Sequence, residues 1–127
     1  MPFRYDHTHI IHRDPEAAVK FYGDILGAKL LDRAERLGAP NYKMEIGGGI
    51  FSVRGVRTAE APMSPGFQPR LGVDHLGFYM EKGSYAATVR RLREKGIQII
   101  EEEDLPALRI LYFYGPDGMV IELMDPK

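Results

Sequence analysis

There is no cysteine anywhere in the 127 residues. That absence removes disulfides, thiolate metal sites and cysteine nucleophiles together, and a cytoplasmic location fits it. Long hydrophobic runs are missing too. The longest are a handful of residues, far short of the ~20 that cross a bilayer, so no membrane partner is expected. The opening Met1-Pro2-Phe3-Arg4-Tyr5-Asp6-His7 has neither the apolar stretch nor the small-residue cleavage site of a secretory leader. An excess of one charge is also lacking: 17 Lys and Arg stand against 18 Asp and Glu, a net charge of −1. No basic stripe is present, which argues against nucleic acid. What is there is an ordinary apolar fraction of 44%, in a chain long enough for one domain with its own core.

The sequence repeats itself. Asp6-His7 recurs as Asp74-His75, and each pair opens a short run of strand-forming residues, His7-Thr8-His9-Ile10-Ile11 and His75-Leu76-Gly77-Phe78-Tyr79. A helical pattern follows each run. In the first, Asp14 is placed as N-cap and Pro15 at the first helical position. Ala18, Phe21, Tyr22, Ile25 and Leu26 make its buried stripe, and Gly27 closes it. The second helix is expected to start near Ser84, bury Tyr85, Val89 and Leu92, and stop at Gly96. Three strands then follow each helix. In the first half they fall near Lys29–Glu35, Tyr42–Ile46 and Ile50–Val56, with Gly47-Gly48-Gly49 as a tight turn. In the second they fall near Ile97–Glu103, Leu108–Tyr114 and Met119–Met124, with Gly115-Pro116-Asp117-Gly118 as the turn.

The expected fold class is therefore α+β. Two tandem βαβββ modules, about 4–56 and about 73–125, would form a curved eight-stranded partial barrel with helices on its outer face, in a single domain over 1–127. Residues 57–72, which include Pro62, Pro65, Gly66 and Pro69, read as a linker, with a lid over a pocket as the alternative. A concave sheet lined from both modules is a natural pocket for a small-molecule substrate.

His7 and His75 hold the same position in the two repeats. Glu122 lies inside Val120-Ile121-Glu122-Leu123-Met124, an acid in an apolar run, and a buried carboxylate calls for a cationic partner. Two imidazoles and one carboxylate make a facial set for one divalent metal ion, Fe, Mn, Ni, Co or Zn, with positions left open for substrate or water. On spacing alone a second reading stays open: two ordinary half-buried histidines, with Glu122 paired to an arginine. His9 shares a face with His7 by strand alternation and reads as pocket lining. His12, of opposite parity and near the helix start, reads as a surface residue. Glu101-Glu102-Glu103-Asp104 reads as a solvated strand end.

The stretch from His7 through Asp14, Phe21 and Tyr22 to Leu26-Gly27 resembles the opening of glyoxalase I and its relatives. Val73-Asp74-His75-Leu76-Gly77-Phe78 resembles the opening of their second module. Gly115-Pro116-Asp117-Gly118-Met119-Val120-Ile121-Glu122-Leu123 is similar to their closing hairpin, whose Glu is a ligand. The resemblance implies the vicinal oxygen chelate superfamily, with His7, His75 and Glu122 holding the metal and a substrate that chelates it through neighbouring oxygens.

One position departs from that pattern. Glyoxalase I and the related epimerases carry a Glu or Gln in the last strand of the first module. Here that strand reads Ile50-Phe51-Ser52-Val53-Arg54, with Ser52 the best match, so the carboxylate base of a proton-shuffling isomerase is missing. The remaining His, His, Glu set resembles that of extradiol dioxygenases and fosfomycin-resistance transferases. Those groups are also similar in placing an active-site Tyr where Tyr112 falls, ten residues before Glu122. Tyr112 is thus the catalytic candidate, as hydrogen-bond donor to an oxyanion or as proton shuttle, and Tyr114 would share its face. Arg54 shares the face of Ser52 and reads either as partner to an anionic substrate group or as a salt-bridged residue. The resemblance further implies lyase, isomerase, dioxygenase or transferase chemistry in a homodimer, some relatives exchanging modules so that sites are shared between subunits. Its rival, also by resemblance, is a non-catalytic drug-binding protein of the bleomycin-resistance type; such proteins generally lack the metal ligands.

Overall fold

The computed structural model describes residues 2–62 and 71–127. The part of the expected linker that holds Pro65, Gly66 and Pro69 lies outside the described residues. The chain divides into two compact units, Met1–Met63 and Ser64–Lys127.

The first unit runs β1 (His7–Ile11), α1 (Pro15–Leu26), β2 (Lys29–Arg36), β3 (Ala39–Ile46) and β4 (Gly49–Arg54). Asp14 starts α1 as expected: its carboxylate accepts the Ala17 N–H at 3.1 Å, ahead of Pro15 in the first turn. Gly27 ends it at φ 70°, a left-handed backbone that a Cβ would strain, with its N–H on the Gly23 carbonyl. The strands assemble in the order β1-β4-β3-β2, with β1 parallel to β4 and the other pairs antiparallel. Alternation then sorts the side chains. Ile10, Phe51, Val53, Tyr42 and Met44 lie on the α1 side, buried with Ala18, Tyr22 and Ile25. Tyr22 meets Phe51 edge-on, ring centres 5.1 Å apart. The opposite, open face carries His7, His9, Ser52 and Asn41, and the register sets His9 beside Ser52.

His12 overturns its expected surface position. It is 1% exposed, and its Nε2 lies 2.8 Å from the Tyr22 hydroxyl. The physical reason is parity. Its N–H prolongs the β1 ladder to the Arg54 carbonyl at 3.0 Å, so it points the same way as Ile10, and that is the side the helix covers.

The second unit repeats the plan: β5 (Leu76–Tyr79), α2 (Tyr85–Glu94), β6 (Ile99–Asp104), β7 (Leu108–Tyr114) and β8 (Val120–Pro126), in the order β5-β8-β7-β6. Leu111, Phe113, Ile121 and Leu123 are buried on the α2 side with Val89 and Leu92. Ser84 precedes α2 as expected, yet its hydroxyl donates to the Glu81 carbonyl instead of capping the helix. The cap comes from β8. Asp125, 5% exposed, accepts the Gly83 N–H at 2.9 Å and the Tyr85 N–H at 3.1 Å.

Both modules are βαβββ as expected, but the expected curved eight-stranded partial barrel is not formed. The eight strands make two separate four-stranded sheets, neither closed nor strongly curled, each with its helix on one face. One edge of each sheet is loaded with charge: Lys29, Asp32, Arg33, Glu35 and Arg36 on β2, and Glu101, Glu102, Glu103 and Asp104 on β6. Such edges resist continuation of a ladder. Strand count and alternation specify which face a residue takes, and they carry no information about which edges join.

Candidate functional site

On the open face of the second sheet, His75, Glu122 and Tyr112 come together. Antiparallel register sets Tyr112 directly opposite Glu122, and parallel register sets Gly77 on its other side. His75, just ahead of β5, places Nε2 2.8 Å from Glu122 Oε2 and Nδ1 2.8 Å from Asp74 Oδ2. The Tyr112 hydroxyl donates to Glu122 Oε1 at 3.1 Å, and its ring stands edge-on to the imidazole with centres 5.5 Å apart. Glu122, with a side chain only 12% exposed, therefore has the partners its apolar run demands.

The electrostatics follow from that geometry. A carboxylate on each ring nitrogen favours the imidazolium, so the His75 pKa is raised: Asp74's hydrogen bond leads, burial opposes, and Glu122 adds. The Tyr112 phenol is also pushed up, first by burial and then by its bond to Glu122, with Glu103 and Glu101 contributing. These last two acids lie on the Tyr112 side of the sheet, Glu101 opposite Tyr112 in the ladder. A hydrogen bond with Glu101 raises the Glu103 carboxyl. The acidic run is exposed along its whole length, as expected of a solvated strand end. Glu102, on the other face, accepts from Tyr85 at 2.9 Å and Arg93 at 3.2 Å. Tyr114 shares the Tyr112 face by alternation and is half-buried.

Gly77 leaves the space that the Glu122 carboxylate fills, since a Cβ there would stand 3.2 Å from Oε2. A Gly77→Val substitution is expected to displace the carboxylate from His75 and weaken divalent-metal binding about tenfold, the scale set by disturbing groups that orient a ligand. Competition against a chromogenic chelator measures this, and an unchanged affinity would mean the carboxylate does not need that space.

In the first unit, His7 repeats the pairing of His75: its Nδ1 is 2.6 Å from Asp6 Oδ2, which leaves Nε2 as the remaining ring donor atom. Each Asp-His dipeptide is thus an acid that orients its neighbour's imidazole. His9 lies beside His7, ring centres 6.1 Å apart, and its pKa is lowered by burial first, then by Arg54, His7 and Arg57. Ser52 sits next to it on β4. Arg54, 8% exposed, is salt-bridged: it donates to Glu60 Oε1 at 2.6 Å and Oε2 at 2.9 Å. Glu60 belongs to the start of the expected linker, which here folds back onto β4.

The Arg54 guanidinium, helped by the Arg57 N–H, holds the Glu60 carboxyl down at about 2. A carboxyl more acidic in the folded chain stabilises it fully above the unfolded value near 4.5 and loses that contribution as pH falls towards about 2. The melting-temperature gap between the wild type and Glu60→Gln should therefore close as pH falls across this window. A gap independent of pH would leave the ion pair without a stabilising role.

The chemistry of the donor types is that of a divalent-ion site, and two of the three, His75 Nε2 and Glu122 Oε2, meet at 2.8 Å, a hydrogen-bond distance. Imidazole with carboxylate suits Fe, Mn, Co, Ni or Zn. Among the described residues, no three or more His, Asp or Glu donors gather into one cluster; the His75–Glu122 pair and His7 belong to different units.

The model of the Glyoxalase/Bleomycin resistance protein/Dioxygenase superfamily matches residues 4–123. The chain belongs to this superfamily. It is 30% identical over 132 residues to the uncharacterized protein YwbC of Bacillus subtilis (strain 168), covering 98% of this chain and 99% of that one. With YwkD of the same organism, also uncharacterized, it shares 28% identity over 122 residues, 94% of each chain. Among solved structures it is similar to a superfamily domain from Frankia sp. EAN1pec, with TM-score 0.83, 23% identity, and coverage of 100% of this chain and 94% of that chain. It is also similar to a mutant of the fosfomycin resistance protein FosX of Listeria monocytogenes, solved with Mn(II) and 1S,2S-dihydroxypropylphosphonic acid, with TM-score 0.78, 18% identity, and coverage of 100% and 95%. At these identities the solved structures speak for the fold alone. That membership supports an enzymatic or binding function at the level of the superfamily.

Proposed function

We propose that this chain is a divalent-metal-dependent enzyme acting on a small substrate with two neighbouring oxygens, in which His7, His75 and Glu122 hold the ion. The observation that carries the reading is the His75–Glu122 pair, two donor atoms 2.8 Å apart with Asp74 behind the imidazole. The same Asp-His pairing at His7 and the Mn(II) complex of FosX support it.

When bound, the ion supplies Lewis-acid stabilisation of negative charge on substrate oxygen. The rest is this chain's own work. Asp74 accepts a hydrogen bond from the Nδ1–H of His75, which fixes the ring so that Nε2 faces Glu122. Tyr112, kept protonated by its raised pKa, donates a hydrogen bond or a proton to an oxygen that gains charge. Ser52 offers no base, so proton abstraction by a carboxylate on β4 is not part of the proposed chemistry. A homodimer, a single domain over the whole chain and a cytoplasmic location complete the proposal.

The test is the metal content of untagged protein, purified without chelator, by elemental mass spectrometry. About one ion per chain is expected, as a single facial site requires. Protein that takes up no Fe, Mn, Co, Ni or Zn under anaerobic, reducing conditions would overturn the enzyme reading in favour of a drug-binding protein of the bleomycin-resistance type.

A further inference from the structure

The open face of the first sheet carries a second feature that the metal chemistry does not use. Arg54 and Arg57 both lie close enough to act electrostatically on the His9 ring, and one acid, Glu60, serves the two. It takes both hydrogen bonds from the Arg54 guanidinium, and from Arg57 only the backbone N–H, at 2.8 Å. Two guanidiniums against one carboxylate leave one positive charge in excess. The excess belongs to Arg57, whose Nε–H is buried without an acceptor among the described residues. Native structures rarely keep a buried donor unmet, and an oxyanion is the acceptor a guanidinium binds best, through two parallel N–H bonds. An unmet guanidinium donor and an excess of positive charge therefore coincide at Arg57.

We propose that Arg57 anchors an anionic group, carboxylate, phosphate or phosphonate, on the open face of the first sheet. Assigning that anion to the substrate rests on the proposed metal-dependent function; the anion site itself does not. Arg54 stays with Glu60 and sets the position of the Arg57 backbone, so that Arg57 alone meets the ligand.

The test uses metal-free protein in EDTA, titrated at constant ionic strength with inorganic phosphate and, separately, with acetate. Proton–nitrogen NMR follows the Arg57 Nε–Hε signal. A saturable shift of that signal is expected, with affinity at least about tenfold weaker in Arg57→Gln, as befits loss of a charge-assisted bidentate contact, and unchanged in Arg36→Gln on the exposed edge strand β2. Preference for phosphate assigns a tetrahedral anion, and preference for acetate a carboxylate. His75→Ala should bind the anion like the wild type, so failure of the metal site leaves this result intact. A wild-type signal that does not saturate with either anion, or equal binding by Arg57→Gln, would overturn the proposal.

Discussion

His75→Ala should lose divalent metal altogether at micromolar ion concentrations. Removing the imidazole takes away one donor and leaves Glu122, buried to 12% exposure, with Tyr112 as its hydrogen-bonded partner. The expected fall in affinity is more than a hundredfold, because disturbing even the groups behind a ligand typically costs about 10- to 100-fold. Asp74→Asn should fall within that smaller range: the amide still contacts Nδ1 but no longer fixes the tautomer or raises ligand basicity. Elemental analysis and chelator competition on the two variants give the order. Equal affinities for wild type and His75→Ala would mean the ion, if any, is held elsewhere, and the His75–Glu122 contact would then be a plain ion pair.

Asp125→Ala should be the most destabilising single substitution on the open strand ends of the second unit. The carboxylate accepts two backbone N–H groups at the start of α2, those of Gly83 and Tyr85. Its removal takes away the cap of α2, at a cost of about 2 kcal/mol. For a chain of this size that corresponds to a drop of roughly 6 °C in Tm. Asp125→Asn, which keeps one acceptor, should lose about half as much. Calorimetry decides the matter. A change of under about 2 °C in the alanine variant would mean that water caps the helix as well as Asp125 does.

These two residues also mark what could be read from the sequence. His75 and Glu122 were legible because each breaks a local pattern: a histidine repeated behind an Asp, and an acid within an apolar strand. The modules were legible because alternation and helical spacing are local properties. Asp125 was not, since its partners are 40 or more residues earlier in the chain, and Ser84 sits where a local cap is expected. His12 was misread for a different reason. Its parity was plain, but which parity the helix covers depends on how α1 packs. The sheet edges were beyond the sequence as well: the strands were visible, while their division into two sheets belongs to pairing between distant strands.

Strand β8 carries two hydrogen-bonded acids three residues apart, and an odd spacing places them on opposite faces. Glu122 faces His75 and Tyr112; Asp125 faces the amides of α2. A slip of one residue against β7 would turn Glu122 into the apolar layer of Leu111 and Phe113 and pull Asp125 away from the helix. Both errors arise together, so the misaligned strand is penalised twice. The strand works as a parity check on its own alignment. Within this hairpin, evolution can therefore exchange side chains far more freely than it can add or remove a single residue.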